Sequence, residues 1–202
     1  MPGNIDIKSN CTMKIDLKLQ EGTSGDWRVE KFTLTEADAK MYNIREAING
    51  RCRFIFAGTY WRLRYKKEIV MSNTPAEIDD HIRFISKAKG NVLIAGLGLG
   101  MVLKALLDKP EVHHITVVGE SDDVIKLVSP FYQDKRVTIV HQDIFDYNPT
   151  ETFDFAWFDI WTYICEDNYI DMKRLDRKFV KYAKVRKHWC YEECKKKYFK
   201  EI

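Results

Sequence analysis

Hydrophobic and polar positions change rhythm along the chain, and the changes mark three regions. Residues 12–20 alternate, with Met13, Ile15, Leu17 and Leu19 on one face and Lys14, Asp16, Lys18 and Gln20 on the other. GTSGD then turns the chain before Trp27, so the pattern predicts a β-hairpin. Thr35 is placed to cap a helix whose apolar positions Ala37, Met41, Ile44 and Ile48 recur at helical spacing until Asn49-Gly50 stops it. Three strand-like runs follow, RCRFIF, YWRLRY and EIVM, separated by AGT and Lys66-Lys67. Residues 1–73 therefore read as a small N-terminal α+β extension.

From Thr74 the period lengthens. Thr74-Pro75-Ala76-Glu77 combines a capping box with proline at the first helical position, and Ile78, Ile82 and Ile85 form the stripe of a helix ended by Gly90. Strand NVLIAG, a helix from Met101 to Leu107, strand HITVVG, a helix from Asp122 to Ser129, and strands RVTIV and FDFAWFD come next. Strands alternating with helices predict an α/β fold with a Rossmann-like parallel sheet, here a shortened core over residues 74–165. Beyond Asp159 no further strand is evident. Residues 166–202 read as a basic helical tail packed on that core, with Met172, Leu175 and Phe179 at helical spacing.

Charge sharpens this division. The net charge of +3 conceals a tail, residues 172–202, that carries +8, leaving −5 elsewhere. Such a tail suits a nucleic acid or protein partner, or self-association into an oligomer, with Tyr182, Trp189, Tyr191 and Tyr198 available to stack on bases; the alternative is a solvated face with an aromatic seam on the core. Five cysteines, an odd number, no long apolar run and a polar start predict a reduced protein of the cytoplasm with no membrane span. Cys190 and Cys194 follow His188 on a predicted helix, but no second ligand pair has metal-site spacing, so no metal is expected. His113-His114 is expected at the lower edge of the sheet, and His81, beside Asp79 and Asp80, reads as a solvated helix face, with contact to a substrate as the alternative.

The motif that carries chemistry is Gly96-Leu97-Gly98-Leu99-Gly100, between an apolar strand and a helix. Glycine there permits a sharp turn and lets a ligand approach the backbone. A dinucleotide fold would place its third glycine one residue later, where Met101 stands, so NAD and FAD fit less well. Hydrolase elbows and P-loops are absent.

The GxGxG spacing resembles that of class I S-adenosylmethionine-dependent methyltransferases, and TVVGESDDVI resembles the second strand of their fold. The resemblance implies S-adenosylmethionine held by Gly96, Leu97, Gly98, Gly100, Glu120, Ser121, Asp143 and Ile144. It also implies a reaction edge at Asp159, Trp161 and Tyr163. The acidic residue expected for the ribose falls at Gly119, with Glu120 one place later.

The layout over residues 52–161 is similar to the spermidine synthase branch. There the two carboxylates that serve the amine would fall at Leu99 and Thr162, and both are missing, which disfavours aminopropyl transfer. MSNTPAEI, GLGLGMVLKALL and WFDIWTYICEDN resemble small methyltransferase-like proteins of phages and prophages. Three functions stay open: methyl transfer to an unknown acceptor, non-catalytic binding of an adenine nucleoside, and cleavage of S-adenosylmethionine.

Overall fold

In the computed structural model, which describes residues 14–50 and 53–200, the apolar run 92–95 lies at the centre. It belongs to a five-stranded parallel sheet formed by β5 (Gly90–Ala95), β6 (Val112–Gly119), β7 (Val137–His141), β8 (Phe153–Phe158) and β9 (Ala183–His188). The spatial order is β7-β6-β5-β8-β9. The chain starts in the middle and reverses direction across the sheet after β7, which makes the carboxyl ends of β5 and β8 a topological switch point. Helices α2 (Pro75–Lys87), α3 (Met101–Leu107), α4 (Asp122–Val128), α5 (Glu166–Phe179) and α6 (Tyr191–Tyr198) accompany these strands. The fold is α/β and Rossmann-like.

Ahead of this sheet, β1 (Gly22–Ser24), β2 (Trp27–Leu34), β3 (Gly58–Tyr65) and β4 (Glu68–Ser72) form an antiparallel sheet in sequential order, with α1 (Glu36–Ile48) between β2 and β3. Its inward side chains Val29, Trp61 and Leu63 share one continuous hydrophobic core with Ile94, Leu97 and Leu103. The Ser24 hydroxyl adds a polar tie, donating to Asp123 of α4 at 2.6 Å.

Several expectations are corrected. Residues 14–20 form no ladder: the hairpin lies one step later, as β1 and β2 around Gly25-Asp26. The alternation is nevertheless expressed as burial, since Ile15, Leu17 and Leu19 are buried and the Trp61 indole donates to the Leu17 carbonyl at 3.0 Å. Met13 and residues 51–52 of the RCRFIF run lie outside the described residues. Residues 53–56 are not a strand; there the Asn43 side chain pairs with both backbone groups of Ile55.

Helix α1 has the expected capping box at Thr35 but buries Ala39 and Glu46. The expected stripe faces outward, with Met41, Ile44 and Ile48 at 66%, 46% and 80% exposure. At α2 the reciprocal box is replaced: Thr74 makes no cap hydrogen bond, and the Glu77 carboxylate instead accepts from the backbone N–H and hydroxyl of Ser72, both at 2.7 Å.

The largest correction is β9. Residues 183–188 are a strand, not part of a helical tail, and pair in parallel with β8. The signal was weak because Lys184 and Lys187 are exposed and only Ala183 and His188 are fully buried. Lysine on an edge strand blocks further pairing and dilutes the apolar alternation that marks a strand.

Candidate functional site

Ala95 ends β5, and the chain then passes through Gly96, Gly98 and Gly100 with φ of 97°, 50° and 71°. These values favour glycine. A Cβ on Gly96 would lie 2.1 Å from the Asp159 carbonyl oxygen, on Gly98 2.3 Å from the Met71 sulfur, and on Gly100 2.3 Å from the Tyr132 ring. The three glycines are thus required by close approach of the protein itself. The Leu99 N–H donates to the Met71 sulfur at 3.2 Å, so a residue of β4 sits directly on the turn.

Beside the turn lies a cavity of 790 Å³, within the range of small-molecule sites. Its base is the carboxyl edge of the parallel sheet; its opposite wall is the antiparallel sheet, through Trp27, Leu63, Tyr65 and Met71. Of the residues expected at a cofactor, Gly96, Leu97, Gly98, Glu120, Ser121, Asp143 and Ile144 all line it, as do Asp159 and Trp161. Gly100 and Tyr163 do not. Gly100 is covered by Tyr132, whose hydroxyl donates to the Leu99 carbonyl at 2.9 Å. Tyr163 is 70% exposed.

Two of the lining residues have local duties. The Ser121 hydroxyl caps α4 by accepting from the Val124 N–H, and Asp143 accepts from the Phe145 N–H at 2.8 Å, closing a turn after β7. At Gly119 a Cβ would meet nothing closer than 3.6 Å, so no steric demand explains that glycine.

The base of the cavity also holds a cluster around Asp159 whose other members sequence reasoning placed only in part. His81, expected on a solvated face, is 2% exposed and points its Nδ1 toward Asp159 Oδ2 at 3.8 Å. Its ring meets the Trp157 ring edge-on at 5.5 Å. His81 Nδ1 is buried without a hydrogen-bond partner, and the Trp157 indole faces Asp159. Glu77 and Arg53 line the same end, and Arg53 pairs with Asp80 at 2.8 Å.

Burial pushes Asp159 up to about 7, helped by repulsion from Glu77 and Asp80 and opposed by the Trp157 indole. Asp80 rises to about 6, chiefly through burial, with Arg53 opposing. Burial also raises Glu77, against its Ser72 hydrogen bonds. His81 falls to about 4 through burial and the Arg53 charge, so it is neutral at pH 7. Near Asp159, α2 thus contributes the carboxylates of Glu77 and Asp80, which sequence reasoning did not single out as site residues. The signal was the Glu77, Asp80, His81 spacing of three and four, which puts all three on one face of α2.

In the tail, Trp189 lines the cavity, Tyr182 packs on the core, and Tyr191 and Tyr198 pack on Tyr169. These aromatic rings form an inward seam. The cysteines Cys165, Cys190 and Cys194 are free thiols. Among the described residues, no helix is long and apolar enough to cross a membrane.

No protein-family model and no curated protein sequence matches the chain. Among solved structures, it resembles the N-methyltransferase NodS from Bradyrhizobium japonicum at 19% identity, covering 53% of this chain and 62% of that one, with a TM-score of 0.41. DhpI in complex with SAH aligns at 16% identity over 73% of this chain and 59% of that one, with a TM-score of 0.43. A dimethyladenosine transferase from Plasmodium falciparum aligns at 20% identity over 55% and 38%, with a TM-score of 0.42. The chain thus spans less than two thirds of the length of each. The fold assignment rests on the strand order itself.

Proposed function

We propose that the protein binds S-adenosylmethionine in the 790 Å³ cavity and passes its methyl group to an acceptor held at the end of β8. One observation carries this reading: a glycine turn, Glu120, Asp143 and Asp159, each from a different loop, converge at the switch point of a parallel sheet. Gly96 and Gly98 would face the amino-acid end of the cofactor. Glu120 would serve the ribose hydroxyls, and Asp143 with Ile144 the adenine. When bound, S-adenosylmethionine supplies an electrophilic methyl group, whose bond to sulfur breaks with the electron pair left on sulfur.

The chain's own part is to position the acceptor, exclude water and take up a proton. Asp159 suits the last task, because a carboxyl near pH 7 can both accept and release a proton at neutral pH. Trp161 and Trp157 beside it shape the acceptor space.

Calorimetric titration with S-adenosylmethionine and S-adenosylhomocysteine, followed by chromatography of the recovered ligand, tests the proposal. Micromolar binding with intact ligand is expected. Absence of binding to both compounds rejects the cofactor, and conversion without an acceptor replaces transfer by cleavage.

A further inference from the structure

The floor of the cavity is short of positive charge and of hydrogen-bond partners at the same point. Among the described residues Arg53 is the one cation there, and it is engaged by Asp80. The Asp159 side chain is 18% exposed and faces the neutral His81, beyond hydrogen-bond distance, and the uncharged Trp157 indole, but no cation among the described residues. His81 Nδ1, on a residue 2% exposed, lines the cavity unpartnered. Buried polar groups without partners mark a place where something polar is missing.

We propose that this floor is the acceptor subsite and that it takes a protonated amine, which docks as the missing counter-cation of Asp159. As regards methylation this rests on the function proposed above. An N–H bond of the ammonium breaks, its electron pair stays on nitrogen, and the proton passes to an Asp159 carboxylate oxygen. The nitrogen pair then forms the bond to the methyl carbon. The product leaves as a methylated ammonium ion, and the Asp159 proton goes to solvent. His81 Nδ1, as the free acceptor of a neutral imidazole, receives a second N–H of the amine.

The probe is 2-phenylethylamine, compared with neutral 2-phenylethanol and anionic phenylacetate of the same shape. Binding is read in the full-length protein without cofactor through the fluorescence of the tryptophans lining the cavity. At pH 8 the amine should bind about tenfold more tightly than the alcohol, the value of one charge-assisted hydrogen bond. The preference should fall as pH drops through 7, where Asp159 takes up a proton. Glu77, His81 and Arg53 line the same space and Asp80 pairs with Arg53, so the profile is compared with that of Asp159→Asn. This variant should lose both the preference and its step near pH 7 while binding S-adenosylhomocysteine as the wild type does.

An amine that binds no better than the alcohol at pH 8 overturns the proposal. So does a preference that survives Asp159→Asn. If Asp159→Asn weakens S-adenosylmethionine but not S-adenosylhomocysteine and leaves amine binding alone, the carboxylate serves the sulfonium instead. Should the variant not fold, a flat wild-type pH profile is sufficient to reject the idea. S-adenosylhomocysteine titrated into the same samples separates the two claims: its binding without amine preference sinks only the subsite, and the reverse sinks only the cofactor.

Discussion

The two sheets are built on different principles. In β5, residues 92–95 are at most 2% exposed, a continuous apolar run as expected of a parallel strand covered on both faces. In β2 and β3, by contrast, Val29 and Leu63 point into the core while Glu30, Arg62 and Arg64 form an outward charge ladder, with Glu30 accepting from Arg62 at 2.7 Å. The parallel sheet fixes the backbone that presents the glycine turn and Asp159. The antiparallel sheet supplies an apolar wall. The cavity lies where the end of one meets the inner face of the other, so its chemistry comes from the first and its enclosure from the second.

That division of labour can be broken experimentally, most severely at the turn. Gly96→Ala forces a Cβ against the Asp159 carbonyl in a left-handed conformation, and should cost at least ~4 kcal/mol or prevent folding, as read by urea denaturation. Leu63→Ala, in the antiparallel wall, should cost about 3 kcal/mol. Because the core is continuous, that variant should still unfold in one step; two separate transitions would show that the sheets fold independently.

Asp159→Asn tests the chemistry of the parallel edge. Raising a carboxyl on folding gives stability that is complete below pH 4 and is lost as pH climbs toward the folded value of about 7. The variant should therefore exceed the wild type at pH 8 by on the order of 2–4 kcal/mol and match it at pH 4. Thermal melts at both values check this. His81 acts in the opposite sense, losing stability as pH falls from its ordinary value toward 4, so the comparison between variants is cleaner than the wild-type curve alone.

On the function proposed, Gly119→Asp should add a carboxylate beside Glu120 for the ribose and tighten S-adenosylhomocysteine about tenfold, the value of a charged hydrogen bond. The smallest effect belongs to the outward face of α1. Met41→Ala should change stability by less than ~0.5 kcal/mol.

The parallel core was legible in the sequence because its strands are apolar on both faces and its turns are marked by glycine. The five-residue turn and the helix after it, Met101 to Leu107, stand where the pattern puts them. β9 was hidden by its edge position, where lysine is an advantage to the fold and noise to the pattern. In α1 the periodicity found the helix but not the face it buries, since Ala39 and Glu46 give way to no large apolar side chain. His81 was masked by its neighbours: Asp79 is exposed and suggests a wet face, whereas two residues further on His81 turns into the cavity. Residues four or more apart in α2 meet β8 only through tertiary packing, which no local pattern contains.

The three groups pressed on the glycine turn, one of them backbone, have a consequence for ligand binding. A carbonyl from the β8 end, a thioether from β4 and a phenol ring from the segment before β7 brace the loop from separate directions. Its backbone is pre-organised by folding, so a ligand arriving there has little conformational entropy left to remove. The unbranched thioether of Met71, with three rotatable bonds, is the most compliant of the braces, which makes it the natural give in an otherwise rigid frame.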